Sequence, residues 1–142
     1  MLESYFQNCM FFASNLLNRA IGKMADEEFK PTGLSPTFAF LMMAVQEQPG
    51  ITQKELGEAL HVTPSTITRF IEKLVYKGLV TARSEGKRSH VELTPLGIER
   101  MEVIREAWKN LFRRYSEILG KEEGRSMTRM LYDLSKKLDD KV

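Results

Sequence analysis

The chain has 142 residues, of which 42% are apolar and 28% charged, and its net charge at neutral pH is +2. That length allows one domain or two small units sharing a core; the apolar share supports a real core, and the charged share argues against disorder. The single cysteine, Cys9, excludes an intrachain disulfide, and an N-terminus with Glu3 and no basic n-region is expected not to be an export signal, which makes a reducing cytoplasm the expected compartment.

Several chemistries are also left without a basis. The apolar run from Cys9 to Ala13 is far too short to span a membrane. His61 and His90 stand apart with no cysteine near either, so no metal is expected. Neither a glycine-rich phosphate loop nor a nucleophile motif occurs, so no cofactor and no enzymatic activity are expected.

In chain order, residues 2 to 28 are expected to form one long helix. Leu2, Phe6, Cys9, Ala13, Leu16 and Ala20 recur at alternating spacings of four and three, and Tyr5, Met10, Phe12, Leu17, Ile21 and Met24 extend the apolar surface. Phe29 to Leu34, with Pro31 and Gly33, is expected to be a loop. Ser35-Pro36 starts a helix by a serine cap and a proline that loses no useful N–H; it runs to Gln48 and is largely apolar. Thr52 and Glu55 have the spacing of a capping box, ahead of a helix whose inner face is Leu56, Ala59 and Leu60. His61-Val62 is the following turn, and Thr63-Pro64 repeats the cap of Ser35-Pro36. The next helix turns Ile67, Ile71, Leu74 and Val75 inward and stops at Gly78. Residues 79–84 and 89–93 are strand candidates joined by Glu85-Gly86-Lys87-Arg88. Thr94-Pro95 starts a helix with inner positions Met101, Ile104, Trp108, Leu111, Tyr115 and Ile118, broken by Gly120. The last helix, from about Glu122 to Asp139, carries Met127, Leu131, Leu134 and Leu138.

These elements predict a mainly α fold with a small β-hairpin wing (α+β). A winged helix-turn-helix head spans 35–97, an N-terminal helix and loop 1–34, and C-terminal helices 98–142. The two ends carry more apolar helix than so small a head needs. Packing of first and last helices against a second copy in a symmetric dimer explains the excess; a monomer folding its ends onto itself is the alternative.

In a helix-turn-helix the second helix lies in the major groove with its N-terminal residues against base edges. Here Ser65, Thr66, Thr68, Arg69 and Lys73 face outward, and Thr63, the cap of the helix, is a further candidate contact. Arg69 suits bidentate recognition of guanine, and the free N–H groups of the helix start suit a phosphate. Capping and solvent exposure are the plain alternative for the small hydroxyl residues. Gln53 and Lys54, opening the preceding helix, are placed to touch the DNA backbone. The hairpin adds Arg83, Lys87, Arg88 and His90, for a minor groove or phosphates; a solvated basic turn is the alternative. From His61 to His90 six basic residues face two acidic ones, a surplus of four that leaves the rest of the chain at −2. A positive field confined to one segment fits a nucleic-acid surface.

The segments Ser65-Thr-Ile-Thr-Arg69, Leu74-Val-Tyr-Lys-Gly-Leu-Val80 and Val91-Glu-Leu-Thr94-Pro-Leu-Gly97, set between a long first helix and two closing helices, resemble the MarR family of bacterial transcription regulators. The resemblance covers nearly the whole chain. It implies a homodimer joined by its first and last helices, a pseudo-palindromic double-stranded operator, usually repression, and release by a small ligand or oxidant. One departure stands out: the family wing usually carries Asp-x-Arg near its tip, where this chain has Glu85 and Lys87 with Arg88 adjacent, on a wing about three residues shorter. Either Lys87 or Arg88 then takes the tip role.

Two triggers are open. Cys9 sits roughly where the hydroperoxide-sensing branch of the family keeps its reactive cysteine. The tyrosines that help there correspond to Lys23 or Met24 and to Phe38, and a buried packing cysteine is the alternative. A small apolar or aromatic effector would be lined by Phe12, Phe38, Met42 and Trp108, each of which also suits plain core. A winged-helix protein-interaction module without DNA binding is the rival reading of the whole.

Overall fold

The computed structural model describes residues 2–141. Its elements are α1 (Leu2–Gln7), α2 (Met10–Phe29), a 3₁₀ turn (Lys30–Thr32), α3 (Pro36–Glu47), β1 (Ile51–Thr52), α4 (Gln53–Leu60), α5 (Pro64–Tyr76), β2 (Val80–Glu85), β3 (Arg88–Leu93), α6 (Pro95–Leu119) and α7 (Lys121–Asp139). The chain is mainly helical with one small antiparallel sheet, the fold class expected. Within the described residues there are two compact units: Ala25–Trp108, and the residues up to Met24 together with those from Lys109 on.

The unit Ala25–Trp108 holds the core. Leu41 and Met42 of α3, Leu56 of α4, Ile67 and Leu74 of α5, and Met101 and Ile104 of α6 are fully buried, along with Leu79, Val80 and Val91. The sheet has the order β1-β3-β2. Ile51 pairs with Val91 and Ala82 with Val91 across the strands, while Arg83 pairs with His90 and Glu85 with Arg88. Because side chains alternate across a strand, the first set shares the core face and the second the opposite face. The strands turn over Gly86-Lys87, and Gly86 has φ 64°, as a two-residue hairpin with glycine first requires. β1 was not foreseen: two residues carry no readable alternation.

The joints of the head are specific. Thr52 accepts from the Glu55 N–H at 3.1 Å, and the Glu55 carboxylate accepts from the Thr52 N–H at 3.2 Å, so the predicted capping box forms. His61 ends α4 at φ 55°, the one described non-glycine residue with a left-handed backbone. Thr94 caps α6, accepting from the Gly97 N–H at 3.0 Å and donating to the Gly78 carbonyl at 2.6 Å. Gly97 lies so close under β2 that a Cβ there would stand 2.1 Å from the Leu79 carbonyl oxygen.

Several local expectations need correction. Residues 2–28 are not one helix, because the Cys9 N–H takes the Phe6 carbonyl, three residues back, in place of the Tyr5 carbonyl that a continuous helix would use, so α1 ends at Gln7 and α2 begins at Met10. Cys9 then bonds back only to Phe6, at 3.3 Å, and lies in the break with its side chain exposed. Residues 30–32 form a 3₁₀ turn rather than loop, ended by Gly33 at φ 72°. In α4 the buried partner of Leu56 is Gly57, not Ala59, because the Val62 carbonyl closes to 3.1 Å of where a Gly57 Cβ would be. Val75 points outward at 43% exposure, since it lies off the line through Ile67, Ile71 and Leu74. In α6 the burial steps by threes through Met101, Ile104 and Ala107, leaving Trp108 and Ile118 exposed. Ser35 and Thr63 occupy cap positions through their carbonyls, which accept from Ala39 and Ile67, with no side-chain cap bond.

Candidate nucleic-acid interface

Helix α5 presents two different faces. Ile67, Ile71 and Leu74 are buried in the head. Ser65, Arg69, Glu72, Lys73 and Tyr76 are exposed, and Thr66 and Thr68 are half-buried. The helix start is held by short hydroxyl contacts: Thr63 Oγ1 donates to Thr66 Oγ1 at 2.9 Å, and Thr68 Oγ1 donates to the Pro64 carbonyl at 2.9 Å. Gln53 Nε2 in turn donates to Thr68 Oγ1, tying the first residue of α4 to the second turn of α5. Lys54 is exposed on α4. Lys73 Nζ stands 6.0 Å from the centroid of the Phe38 ring, and Phe38 packs on Phe70 with centroids 4.8 Å apart.

The wing brings the second basic group. Lys87 is a turn residue at its tip, and Arg88 opens β3. Glu85 Oε2 is 3.9 Å from Arg83 Nη2 and 3.6 Å from His90 Nε2, so three of the charged-face side chains form a cluster. His90 Nδ1 is 2.8 Å from the Gly50 carbonyl oxygen. A carbonyl only accepts, so this nitrogen carries the hydrogen. His90 is therefore tied to the chain through Nδ1, while Arg83, Lys87 and Arg88 are exposed. Nearby, the Thr52 hydroxyl and backbone hold the Glu55 carboxyl below its ordinary pKa of 4.5, helped by the Gln48 amide and, more weakly, by Arg88.

Sequence reasoning left out Glu72, Tyr76 and Lys77, which line a shallow depression on the surface of α5 together with Arg69 and Lys73. The signal existed: Arg69, Lys73 and Tyr76 follow the four-three spacing that puts residues on one helix face. Of the residues named for an effector, Met42 is fully buried and Trp108 is 46% exposed. Phe38 stacks on Phe70, and Phe12 stacks on Phe6 at 4.6 Å in the other unit, where Cys9 also lies. A further open cleft of about 850 Å³ between α6 and α7 is lined by Phe112, Tyr115, Arg125, Arg129 and Tyr132 among others. Among the described residues no group of three or more His, Cys, Asp or Glu could hold a metal, and no helix is long and apolar enough to cross a membrane.

Comparison with known proteins places this geometry. Residues 34–86 match the model of the MarR family. The chain is 24% identical over 143 aligned positions to the HTH-type transcriptional regulator SarZ of Staphylococcus epidermidis, covering 99% of this chain and 95% of that protein. It is 35% identical over 54 residues to a riboflavin kinase of Thermococcus kodakarensis, covering 38% of this chain. The chain spans only 26% of that kinase, and 31% of a similar one from Pyrococcus abyssi. Among solved structures, MepR of S. aureus in complex with DNA superimposes with a TM-score of 0.80 at 19% identity, over 92% of this chain and 98% of that one. The repressor CouR bound to p-coumaroyl-CoA gives 0.84 at 16% identity, over 92% and 94%. At such identities the likeness is one of fold.

Proposed function

We propose that this chain is a member of the MarR family, whose model matches residues 34–86, and a sequence-specific DNA-binding regulator of transcription that acts as a homodimer and represses genes beside a pseudo-palindromic operator. As a member of that family it works by binding rather than by catalysis. The observation that carries the reading is the split character of α5, with Ile67, Ile71 and Leu74 anchored in the core and Ser65, Arg69 and Lys73 turned to solvent. A helix fixed on one side and basic on the other is what major-groove docking needs.

Roles follow from position. Arg69 reads a base, Ser65 and Thr66 contact base edges or phosphate, and Thr63 helps present the helix start. Lys54 and Lys73 neutralise phosphates, and Lys87 leads the wing with Arg83 and Arg88 behind it. His90, half-buried between Gly50 and Glu85, supports the wing from within. The dimer is supported by the apolar side chains of α7: Met127, Leu131, Leu134 and Leu138 are 37–57% exposed in the single chain. Exposed Leu2, Tyr5, Met10 and Phe11 of α1 and α2 add to the surface a second copy would cover. Release by a small apolar ligand is supported by the half-exposed aromatics Phe38 and Trp108, and by the likeness to CouR, solved with p-coumaroyl-CoA.

The test is selection of duplexes from a random-sequence library, followed by titration of the enriched duplex at rising salt. A dimer making about 6–10 phosphate contacts loses roughly 10³–10⁵ in affinity between 50 and 200 mM salt. No enrichment of any duplex would reject DNA binding in favour of a protein-interaction module.

A further inference from the structure

The turn between α4 and α5 contains a side-chain latch. Thr68 has one hydroxyl proton, and it goes to the Pro64 carbonyl. The same oxygen accepts from Gln53 Nε2, fifteen residues earlier in the chain and on the other helix of the motif. While the latch is closed, Thr68 has no proton left for a phosphate or a base. Gln53 spends one N–H on the latch and keeps its carbonyl and second N–H. Both residues are half-buried, and Thr68 directly precedes the exposed Arg69 in α5.

We infer that Gln53 is a positioning residue that acts through the Thr68 hydroxyl. It sets the angle at which α5 leaves α4, and thereby where Arg69 meets the base edges. The inference rests on the DNA-binding reading above, and it gives two polar residues of the motif a joint task in place of two separate contacts. Apolar packing holds the buried side of α5 through Ile67, Ile71 and Leu74, and dispersion contacts carry little directional preference about the helix axis. The Gln53–Thr68 bond, on the flank of that stripe, supplies the direction. Reading a base with a guanidinium fork is sensitive to such rotations, whereas neutralising a phosphate is not.

The experiment is a double-mutant cycle of Gln53→Met and Thr68→Val, which keep side-chain size while removing the donor and the acceptor. Binding is measured by fluorescence anisotropy to the duplex that the unaltered protein enriches and to poly(dI-dC), with thermal melting of each variant alongside. A single net hydrogen bond predicts that each variant weakens the enriched duplex about three- to tenfold, with the double variant no weaker than the worse single one. Binding to poly(dI-dC) stays unchanged, the melting temperature falls by a few degrees in each single variant and no further in the double one, as one lost hydrogen bond requires, and Thr68→Ser, which keeps the hydroxyl, binds as the unaltered protein does. Losses that multiply in the double variant, equal losses on poly(dI-dC), no loss at all, or a Thr68→Ser as weak as Thr68→Val would each overturn the latch. If the unaltered protein enriches no duplex, the DNA-binding reading falls and the latch with it; enrichment with multiplying losses removes the latch alone.

Discussion

His61 has its backbone at φ 55°, ψ 46°, a conformation that L residues adopt at a cost and β-branched ones most of all. It must do so because α4 ends there and the chain has to turn at once into α5, with the Val62 N–H returning to the Gly57 carbonyl at 2.9 Å. His61→Val is therefore expected to be less stable than His61→Gly by about 1–2 kcal/mol in chemical denaturation, both variants having lost the imidazole equally. Gly97 is constrained by space instead. A methyl group there would collide with the Leu79 carbonyl, which is backbone and has no room to yield. Gly97→Ala should cost about 1–3 kcal/mol or more, and near-native stability would show that α6 can slide away from β2. At the proposed reading face, Arg69→Ala should weaken the enriched duplex by about 1–3 kcal/mol and relax the preference at one base position. An equal loss on every sequence would make Arg69 a phosphate clamp.

At the scale of elements, α4 depends on its first turn. It has only eight residues, too few to be stable as an isolated helix. Replacing Thr52 by alanine removes the acceptor for the Glu55 N–H and should cost about 1 kcal/mol at neutral pH. The same box sets an acid dependence. Bonds from Thr52 and Gln48 favour the ionised Glu55 carboxylate and lower its folded pKa below 4.5. Its contribution is thus fully present above the unfolded pKa and disappears as pH falls through the lower folded value. Melting curves between neutral pH and pH 3 should lose less stability in Glu55→Gln than in the unaltered chain; identical losses would show that the carboxylate does not matter to the fold. The capping box, the proline starts, the hairpin glycine and the stop at Gly120 were all legible in the sequence, because each is a local bargain between neighbouring groups. What escaped was tertiary or competitive. Two residues of β1 become a strand only because β3 lies alongside, and the break at Asn8-Cys9 leaves no mark on the apolar spacing of its neighbours. The outward residues of α5 followed from its period, but the Gln53–Thr68 bond joins two helices whose approach no local pattern encodes.

For the whole molecule, the net charge of +2 is too small to attract DNA by itself, so the proposed function requires affinity to come from the basic surplus concentrated between His61 and His90. The proposed assembly makes a second demand. If α7 is covered by another copy, Leu131→Glu with Leu134→Glu should convert the protein to monomer in sedimentation velocity and abolish cooperative binding to a two-half-site duplex. Persistence of the dimer would place the interface elsewhere. In the dimer the two heads should protect half-sites about one helical turn apart, and a footprint with another spacing would reject major-groove docking by α5.

Cys9 offers a handle on that assembly. It is the chain's single thiol, it is exposed, and it sits in the break between α1 and α2. A nitroxide or fluorophore attached through maleimide chemistry therefore reports from one known point per subunit without any engineered residue. Electron–electron resonance between two such labels would yield a single narrow distance in a two-fold assembly. Following that distance as duplex or candidate inducers are added turns an oddity of the first twenty residues into a ruler.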